Sequence, residues 1–255
     1  MEQEGRSSID RSAARKYFKG AGIWPWLLII VGIPLAFVVV GIFLIIGGVI
    51  WILVVYFSAG AYERQIDEII AAEQEHLLKR GADKLNLVDE QTGLIQPIRT
   101  VGVGKESKLE GEGGGFWATL KSILSGSSQA PTLRIRFNSK GEWRFSLIQV
   151  NIFMFDEKQL YVYFANIDIT TGLIYSEGTH EYFYKDICGI ITEQELVSKL
   201  NPKTRKFVNV PYEYIKVNTP GHYLSAAIDT SISGFALDEQ FTAMRNLVRE
   251  KKEER

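Results

Sequence analysis

The hydrophobic and polar positions divide the chain sharply, because no charged residue occurs between Gly20 and Tyr62. Ser58 is the only conventional polar side chain in this apolar run, and residues 23–57 are its core. Charged side chains are costly inside a bilayer, so an apolar run of about 18 or more residues is typical of a membrane-spanning segment. The pattern therefore predicts an integral membrane protein.

The length of this run allows two arrangements. As one helix, residues 23–57 would extend about 50 Å, whereas the hydrocarbon core of a bilayer is about 30 Å thick. A hairpin of two short helices that turns near Val40–Gly41 or at Gly47–Gly48 fits that thickness, and it leaves no apolar helix in water. The alternative is a single span over residues 27–50, kinked at Pro34. We favour the hairpin.

The predicted hairpin, residues 20–60, carries small side chains at regular intervals. Gly32 and Ala36 are four positions apart, and Gly41 and Gly48 are seven positions apart. Small residues at such spacing let helix backbones approach closely. The spacing predicts helix packing, either inside the hairpin or between the subunits of a homo-oligomer.

Aromatic residues and cations flank the apolar run. Tryptophan and tyrosine are enriched where a membrane meets water. The candidates for this interface are Trp24, Trp26, Trp51 and Tyr56. The segment before the run, residues 1–19, is basic. Because positively charged segments stay on the cytoplasmic side, we expect the N-terminus in the cytoplasm and the protein in the inner membrane of a bacterium. With a hairpin, the C-terminal part is cytoplasmic as well.

Residues 61–86 have the pattern of an amphipathic helix that continues from the apolar run. Ile66, Ile70 and Leu77 recur at helical spacing and form an apolar stripe. The other face is acidic, through Glu63, Asp67, Glu68, Glu73 and Glu75. The stripe is expected to pack either on the soluble domain or on copies of the same helix.

A loop-rich linker, residues 87–131, follows this helix. It contains a possible strand over residues 94–103 and a flexible glycine-rich run. The apolar segment 116–124 within the linker has the composition of a short amphipathic helix. It would rest on the bilayer surface with Trp117 at headgroup depth, or else cover the soluble domain.

Residues 132–255 form the predicted soluble domain. Apolar and polar residues alternate in seven segments with turn residues between them, which predicts seven strands. The chain then ends in an amphipathic helix with Asp238 as a plausible N-cap. The apolar face of this helix comprises Leu237, Phe241, Met244 and Val248. The whole chain is therefore expected to be an α+β membrane protein with a split β-barrel that a C-terminal helix plugs.

The order of these elements and the segment EYFYKDICGI at residues 181–190 resemble bacterial pleckstrin-homology-like (PH-like) domains. The resemblance covers about half of the chain, residues 132–250. It implies a cytoplasmic recognition domain without catalytic chemistry. In family members that bind phosphoinositides, cations on the first two strands and their connecting loop hold the phosphate groups. The residues that match this arrangement are Arg134, Arg136, Lys140 and Arg144.

The basic cluster departs from the family pattern at Ser146, where a second cation on that face would be expected. An ordinary solvated sheet face, with Glu142 nearby, is the competing interpretation. The cluster is therefore a candidate site for an anionic headgroup, in competition with a purely structural surface.

Several classes of function lack support in the composition. A net charge of −1 provides no basic field for nucleic acid. Cys188, the only cysteine, excludes an internal disulfide and is expected to be a buried, inert thiol. The three histidines lie in separate elements without metal-ligand spacing. The segment VGVGKES at residues 101–107 lacks the glycine spacing of a phosphate loop. We therefore expect no enzyme activity, no metal and no cofactor.

These patterns together predict a membrane-anchored recognition or scaffold protein. Its partners would be the bilayer and a protein or lipid headgroup bound by the β-domain, and it would bind no nucleic acid. The alternative is an oligomeric structural or pore-forming membrane assembly.

Overall fold

The computed structural model describes residues 9–19, 24–35, 39–87, 95–103, 134–138, 142–200, 207–228 and 236–254. The helices in these ranges are α1 (Ser12–Lys19), α2 (Trp24–Gly32), α3 (Val39–Lys84) and α4 (Ala236–Glu253). The strands are β1 (Ile98–Val103), β2 (Ile135–Phe137), β3 (Trp143–Phe145), β4 (Leu147–Phe155), β5 (Gln159–Asp168), β6 (Leu173–Phe183), β7 (Gly189–Leu200), β8 (Phe207–Thr219) and β9 (His222–Ile228). The protein is thus an α+β chain with one long apolar helix and antiparallel sheets.

The apolar run forms two antiparallel helices, α2 and the first part of α3. A Cβ atom on Gly32 would lie 2.9 Å from the carbonyl oxygen of Gly41, and one on Gly48 would lie 2.8 Å from that of Pro25. The end of α2 therefore faces the start of α3. Only glycine allows backbones to approach this closely.

The position of the turn differs from the prediction. α3 continues without a break through Val40–Gly41 and Gly47–Gly48, and the chain reverses between Gly32 and Val39. The described residues between 27 and 50 therefore belong to two separate helices instead of one helix kinked at Pro34. Pro34 lies in the turn, where its missing N–H interrupts no helical hydrogen bond. By length and composition, Val40–Lys84 is long and apolar enough to cross a membrane.

A four-stranded antiparallel sheet in the order β1-β4-β5-β6 is the centre of the soluble part. On one face Ile152 of β4 packs in a cluster with Ile70 of α3. On the opposite face Phe153 packs in a cluster with Ile215 of β8 and Phe241 of α4. Because both faces are covered, every residue of β4 is buried.

The other strands complete two smaller sheets, the pair β2-β3 and the sheet β7-β8-β9. Within the predicted domain, residues 132–255, the described residues contain eight strands rather than the seven predicted, and β1 confirms the strand expected over residues 94–103. Ser146 separates β3 from β4, and a 3₁₀ turn at Tyr184–Asp186 separates β6 from β7. β8 runs through Pro211, which faces Leu196 of β7. β1 lies before the predicted domain boundary at residue 132 and pairs with β4 after it.

Two of the predicted apolar faces are confirmed. Ile66, Ile70 and Leu77 of α3 are buried against the four-stranded sheet, so this stripe packs on the soluble domain. The apolar face of α4 is buried as well, at Leu237, Phe241, Met244 and Val248. The prediction of an acidic outer face on α3 is only partly correct, because Glu73 is fully buried.

Candidate functional site

The apolar helix pair, α2 with residues 39–57 of α3, has a mostly exposed surface of large hydrophobic side chains. Phe43 is 69% exposed and Phe57 73% exposed, whereas soluble proteins rarely leave a continuous apolar surface uncovered. Residues 39–55 rise about 24 Å at 1.5 Å per residue, close to the thickness of a hydrocarbon core. The aromatic candidates Trp24, Trp26, Trp51 and Tyr56 all lie on this surface.

The small residues of the apolar helix pair lie mostly at its internal contact. Gly32, Gly41 and Gly48 are buried there. Gly47 instead faces away from α2, since a Cβ atom on it would meet nothing within 4 Å. Two predicted residues, Ala36 and Trp117, lie outside the described residues.

Arg136 of β2 lies where the apolar part of α3 ends. Its guanidinium donates hydrogen bonds to the carbonyl oxygens of Tyr17 and of Val55, the latter at 3.5 Å. It also lies 4.8 Å from the centre of the Tyr17 ring, within the range of a cation–π interaction. One side chain thus joins the β-domain to α1 and to the apolar helix pair.

The other predicted headgroup cations are distributed differently. Arg144 is buried and forms an ion pair with Asp67 of α3, with 3.4 Å between Nη2 and Oδ1. Arg134 is exposed, and its backbone N–H donates to the Ser146 hydroxyl at 2.8 Å. Lys140 lies outside the described residues. Two of the four cations, Arg136 and Arg144, therefore contact other parts of the chain instead of facing solvent.

α1 is an element that the sequence analysis missed, because residues 1–19 were treated only as a basic segment. Its inner face, Ala13, Ala14, Tyr17 and Phe18, is buried. The outer face carries Arg15, Lys16 and Lys19, which are exposed. The four apolar residues recur at helical spacing, and this signal could have found the helix.

Tyr17 is the centre of the α1 contact. Its ring is fully buried and packs edge-on against Phe18, with 5.0 Å between ring centres. Burial raises the pKa of Tyr17 to about 12, so the phenol is neutral at physiological pH. α1 is therefore held by an apolar contact and the Arg136 bonds together.

Arg11, just before α1, forms an ion pair with Glu73 of α3 inside the protein. The guanidinium also lies against the turn between β5 and β6. A Cβ atom on Gly172 would lie 2.5 Å from Cζ of Arg11, and Gly172 has a φ angle of +79°. Glycine at this position both allows the left-handed turn and leaves room for the arginine.

Glu177 of β6 holds the C-terminal end of α3. It accepts hydrogen bonds from Arg80 at 2.9 and 2.8 Å and from the Tyr163 hydroxyl at 2.6 Å. Lys84 lies 2.7 Å from the same carboxylate. The hydrogen bonds from Arg80 hold the pKa of Glu177 well below its usual value, and those from Lys84 and Tyr163 act in the same direction.

The structure brings together two histidines that the sequence places in separate elements. The rings of His180 on β6 and His222 on β9 have centres 6.2 Å apart. Phe164 and Tyr182 each stack on His180, with ring centres 5.6 and 5.9 Å from it. Burial lowers the pKa of His180, and His222 adds to the effect. Among the described residues, no group of three or more potential ligands forms a metal site.

Cys188 is exposed, so the prediction of a buried thiol is wrong. The 3₁₀ turn ends the strand before Cys188 and places this residue at the surface. It lines a cavity between the beginning of β7 and α4. The sequence placed this cysteine inside an uninterrupted apolar strand and therefore could not show its exposure.

Comparison of the chain with protein-family models, with curated proteins and with solved structures finds no match.

Proposed function

We propose that this protein is a membrane-anchored, non-catalytic recognition or scaffold protein. The apolar helix pair is a transmembrane hairpin, and the β-domain is a PH-like module that binds a protein partner or a lipid headgroup in the cytoplasm. The observation that carries the proposal is the exposed apolar surface of the helix pair, which continues through α3 directly into the core of a folded domain.

The connection between the two parts is a single helix. α3 runs from Val39 to Lys84 without interruption, and its second half is buried against the four-stranded sheet. Arg136 contacts α3 at Val55, and Glu177 binds it at Arg80 and Lys84. A module attached in this way has a fixed orientation to the bilayer, and tethering raises its local concentration near other membrane components.

The exposed cations of α1 favour the cytoplasmic side. Arg15, Lys16 and Lys19 lie on the outer face of a helix that is docked beside the hairpin. Such cations close to a membrane segment keep their flank in the cytoplasm. Because α1 packs on the same helix as the β-domain, the two share one side of the membrane.

Cys188 provides the test, since it is the only cysteine and is exposed. Intact bacterial cells that produce the full chain are treated with a membrane-impermeant maleimide, before or after lysis. We expect labelling only after lysis. The Cys188→Ser chain, which cannot react, measures the background. Labelling in intact cells would place the β-domain outside and overturn the cytoplasmic recognition function.

An oligomeric structural or pore-forming assembly is the competing function. It predicts that the purified protein runs as a defined oligomer in several detergents and that liposomes containing it leak small ions. A monomer that does not conduct supports the recognition function instead.

A further inference from the structure

A small cationic cavity lies where the free edge of the three-stranded sheet begins. It measures about 250 Å³ and is lined by Ile187, Cys188, Gly189, Ile190, Arg245, Val248, Arg249 and Lys252. Its lining includes three cations and no carboxylate. The buried side chains of Ile187 and Val248 form an apolar part of the wall. The cavity is therefore suited to an anion that carries a small apolar group.

Two of the three cations are held in place by the strand end. Arg245 donates from Nε to the carbonyl oxygen of Ile190 and from Nη2 to the hydroxyl of Thr192, both at 3.3 Å. Lys252 donates to the carbonyl oxygen of Ile187 at 2.6 Å. Arg249 is exposed and forms no ion pair with any described residue. Its guanidinium is available for a ligand.

β7 offers its outer edge beside this cavity. Within the described residues β7 pairs only with β8, so its other side has no strand neighbour. The carbonyl of Ile190 points to this outer side, because it accepts a bond from Arg245. The N–H and C=O groups of alternate residues of an antiparallel strand point the same way. Thr192, Gln194 and Leu196 therefore also present their backbone groups outward.

We propose that this cavity binds the C-terminal carboxylate of a partner protein, whose last residues add to the free edge of β7 as an antiparallel strand. The inference names the partner class for the recognition function proposed above and rests on it. β7 begins at Gly189, so an antiparallel strand beside it ends with its C-terminus at the cavity. Arginine binds a carboxylate with two parallel hydrogen bonds, which suits Arg249.

The size of the cavity supports a chain end as the ligand. Pockets for drug-sized molecules usually measure about 300–1,000 Å³. This cavity is smaller, which fits one terminal residue with a side chain such as leucine against Ile187 and Val248. The rest of the peptide would be held by main-chain hydrogen bonds along β7.

Cys188 makes the proposal measurable, because it lines the cavity and no other cysteine exists. The full chain in detergent micelles is alkylated with iodoacetamide, and the rate is followed by mass spectrometry. The probe is an N-acetylated pentapeptide pool, randomised at four positions and ending in leucine with a free carboxylate. The same pool with a C-terminal amide is the matched control. We expect the free acid to slow alkylation and the amide to leave the rate unchanged.

The variant Arg249→Gln tests the cation that carries the inference. Arg249 is exposed, so its replacement leaves the fold intact. We expect the peptide concentration needed for half-protection to rise about tenfold, since a charge-assisted bidentate bond is lost. Arg64→Gln is the control, because Arg64 is an exposed arginine of α3 that forms an ion pair with Glu68 at 3.3 Å and does not line the cavity. In Arg64→Gln the peptide concentration needed for half-protection should equal that of the unchanged protein.

Four results would overturn the proposal. The free acid and the amide could protect equally, neither could protect, or Arg249→Gln could leave protection unchanged. Inorganic phosphate that protects as well as the peptide pool would show a site for small anions instead. The failure of peptide binding is separate from the failure of the recognition function, since the topology of the β-domain is measured by maleimide labelling without any peptide.

Discussion

Arg11 and Glu73 form an ion pair inside the protein although 62 positions separate them in the chain. Arg11 is 7% exposed and Glu73 is fully buried. The pair joins the segment before α1 to the middle of α3, and Gly172 leaves space for the guanidinium. The described part of the basic segment, residues 9–19, is thus packed into the folded domain.

Replacing one partner of this ion pair should lower the stability of the folded protein. In Glu73→Gln the buried guanidinium of Arg11 keeps its charge but loses its ion pair with Glu73, and such changes lower the free energy of unfolding by about 3–5 kcal/mol. Thermal melting of the full chain in detergent micelles measures the effect. The control is Glu75→Gln, two positions away on α3, because Glu75 is half-exposed and its pair with Arg99 at 2.9 Å contributes only about 0–1 kcal/mol.

The double variant Arg11→Leu with Glu73→Leu separates charge from packing. Apolar replacement of both members of a buried pair is often neutral, so most of the stability lost in Glu73→Gln should return. A double variant that is less stable than the single one would contradict this account.

Arg136→Ala should release α1. Hydrogen bonds of a charged group contribute about 1.5–3 kcal/mol each, so local opening of α1 should become at least about tenfold more frequent. Limited trypsin digestion at Arg15, Lys16 and Lys19, followed by mass spectrometry, measures this opening. Arg134→Ala is the control, since Arg134 lies at the same strand but is exposed. Equal digestion of the two variants would rule out the role of Arg136 in holding α1.

Gly48→Ala should disturb the apolar helix pair. The added methyl group would lie 2.8 Å from the carbonyl oxygen of Pro25, which is backbone and cannot turn away. Overpacking of this kind lowers stability by about 1–3 kcal/mol. Gly47→Ala is a neighbouring control, because nothing lies within 4 Å of its Cβ position and alanine favours helix. Melting temperatures in micelles should fall for the first variant only.

Glu177→Gln should lower stability in a pH-dependent way. Folding lowers the pKa of Glu177 below its ordinary value of 4.5, chiefly through the hydrogen bonds from Arg80. The unfolded chain therefore binds more protons in acid, and the stabilisation is complete above pH 4.5 and lost as the pH falls through the lower, folded pKa.

The expected difference between Glu177→Gln and the unchanged protein is about 2 kcal/mol at neutral pH, and it shrinks well below the ordinary carboxyl pKa. Chemical unfolding over a pH series checks this expectation. Glu181→Gln, an exposed glutamate on the same strand, should show no such dependence. A constant difference at every pH would mean that the glutamine disturbs packing rather than removing a charge interaction.

The elements whose apolar residues recur at a regular interval were predictable from the sequence. The buried stripe at Ile66, Ile70 and Leu77 and the inner face of α4 repeat at helical spacing, so their faces could be assigned without coordinates. Strand boundaries were less accessible. β4 is buried on both faces and shows little alternation. At the two breaks, the backbone N–H groups of Ser146 and Tyr184 donate to the carbonyl oxygens of Arg134 and Lys158, which are distant in the chain.

The proposed binding cavity could not be predicted from patterns along the sequence. Cys188 lies just before β7 and Gly189 begins it, whereas Arg245 and Arg249 are more than fifty positions later on α4. No local pattern connects them. In the basic cluster, by contrast, a local pattern was misleading. Arg134 and Arg136 are two positions apart, which suggests that both face solvent on one side of the strand. In the structure Arg136 instead contacts Tyr17 and Val55.

The long apolar segment, the amphipathic helix after it and the β-rich part with its second amphipathic helix are all readable in the amino-acid sequence. These properties follow from composition and period, which act over a few neighbouring residues. The place where the apolar run turns, the burial of Glu73 and the exposure of Cys188 became visible only in the folded chain. Burial of a charge and exposure of a thiol depend on partners distant in the chain, and those partners meet only when the helices and sheets pack.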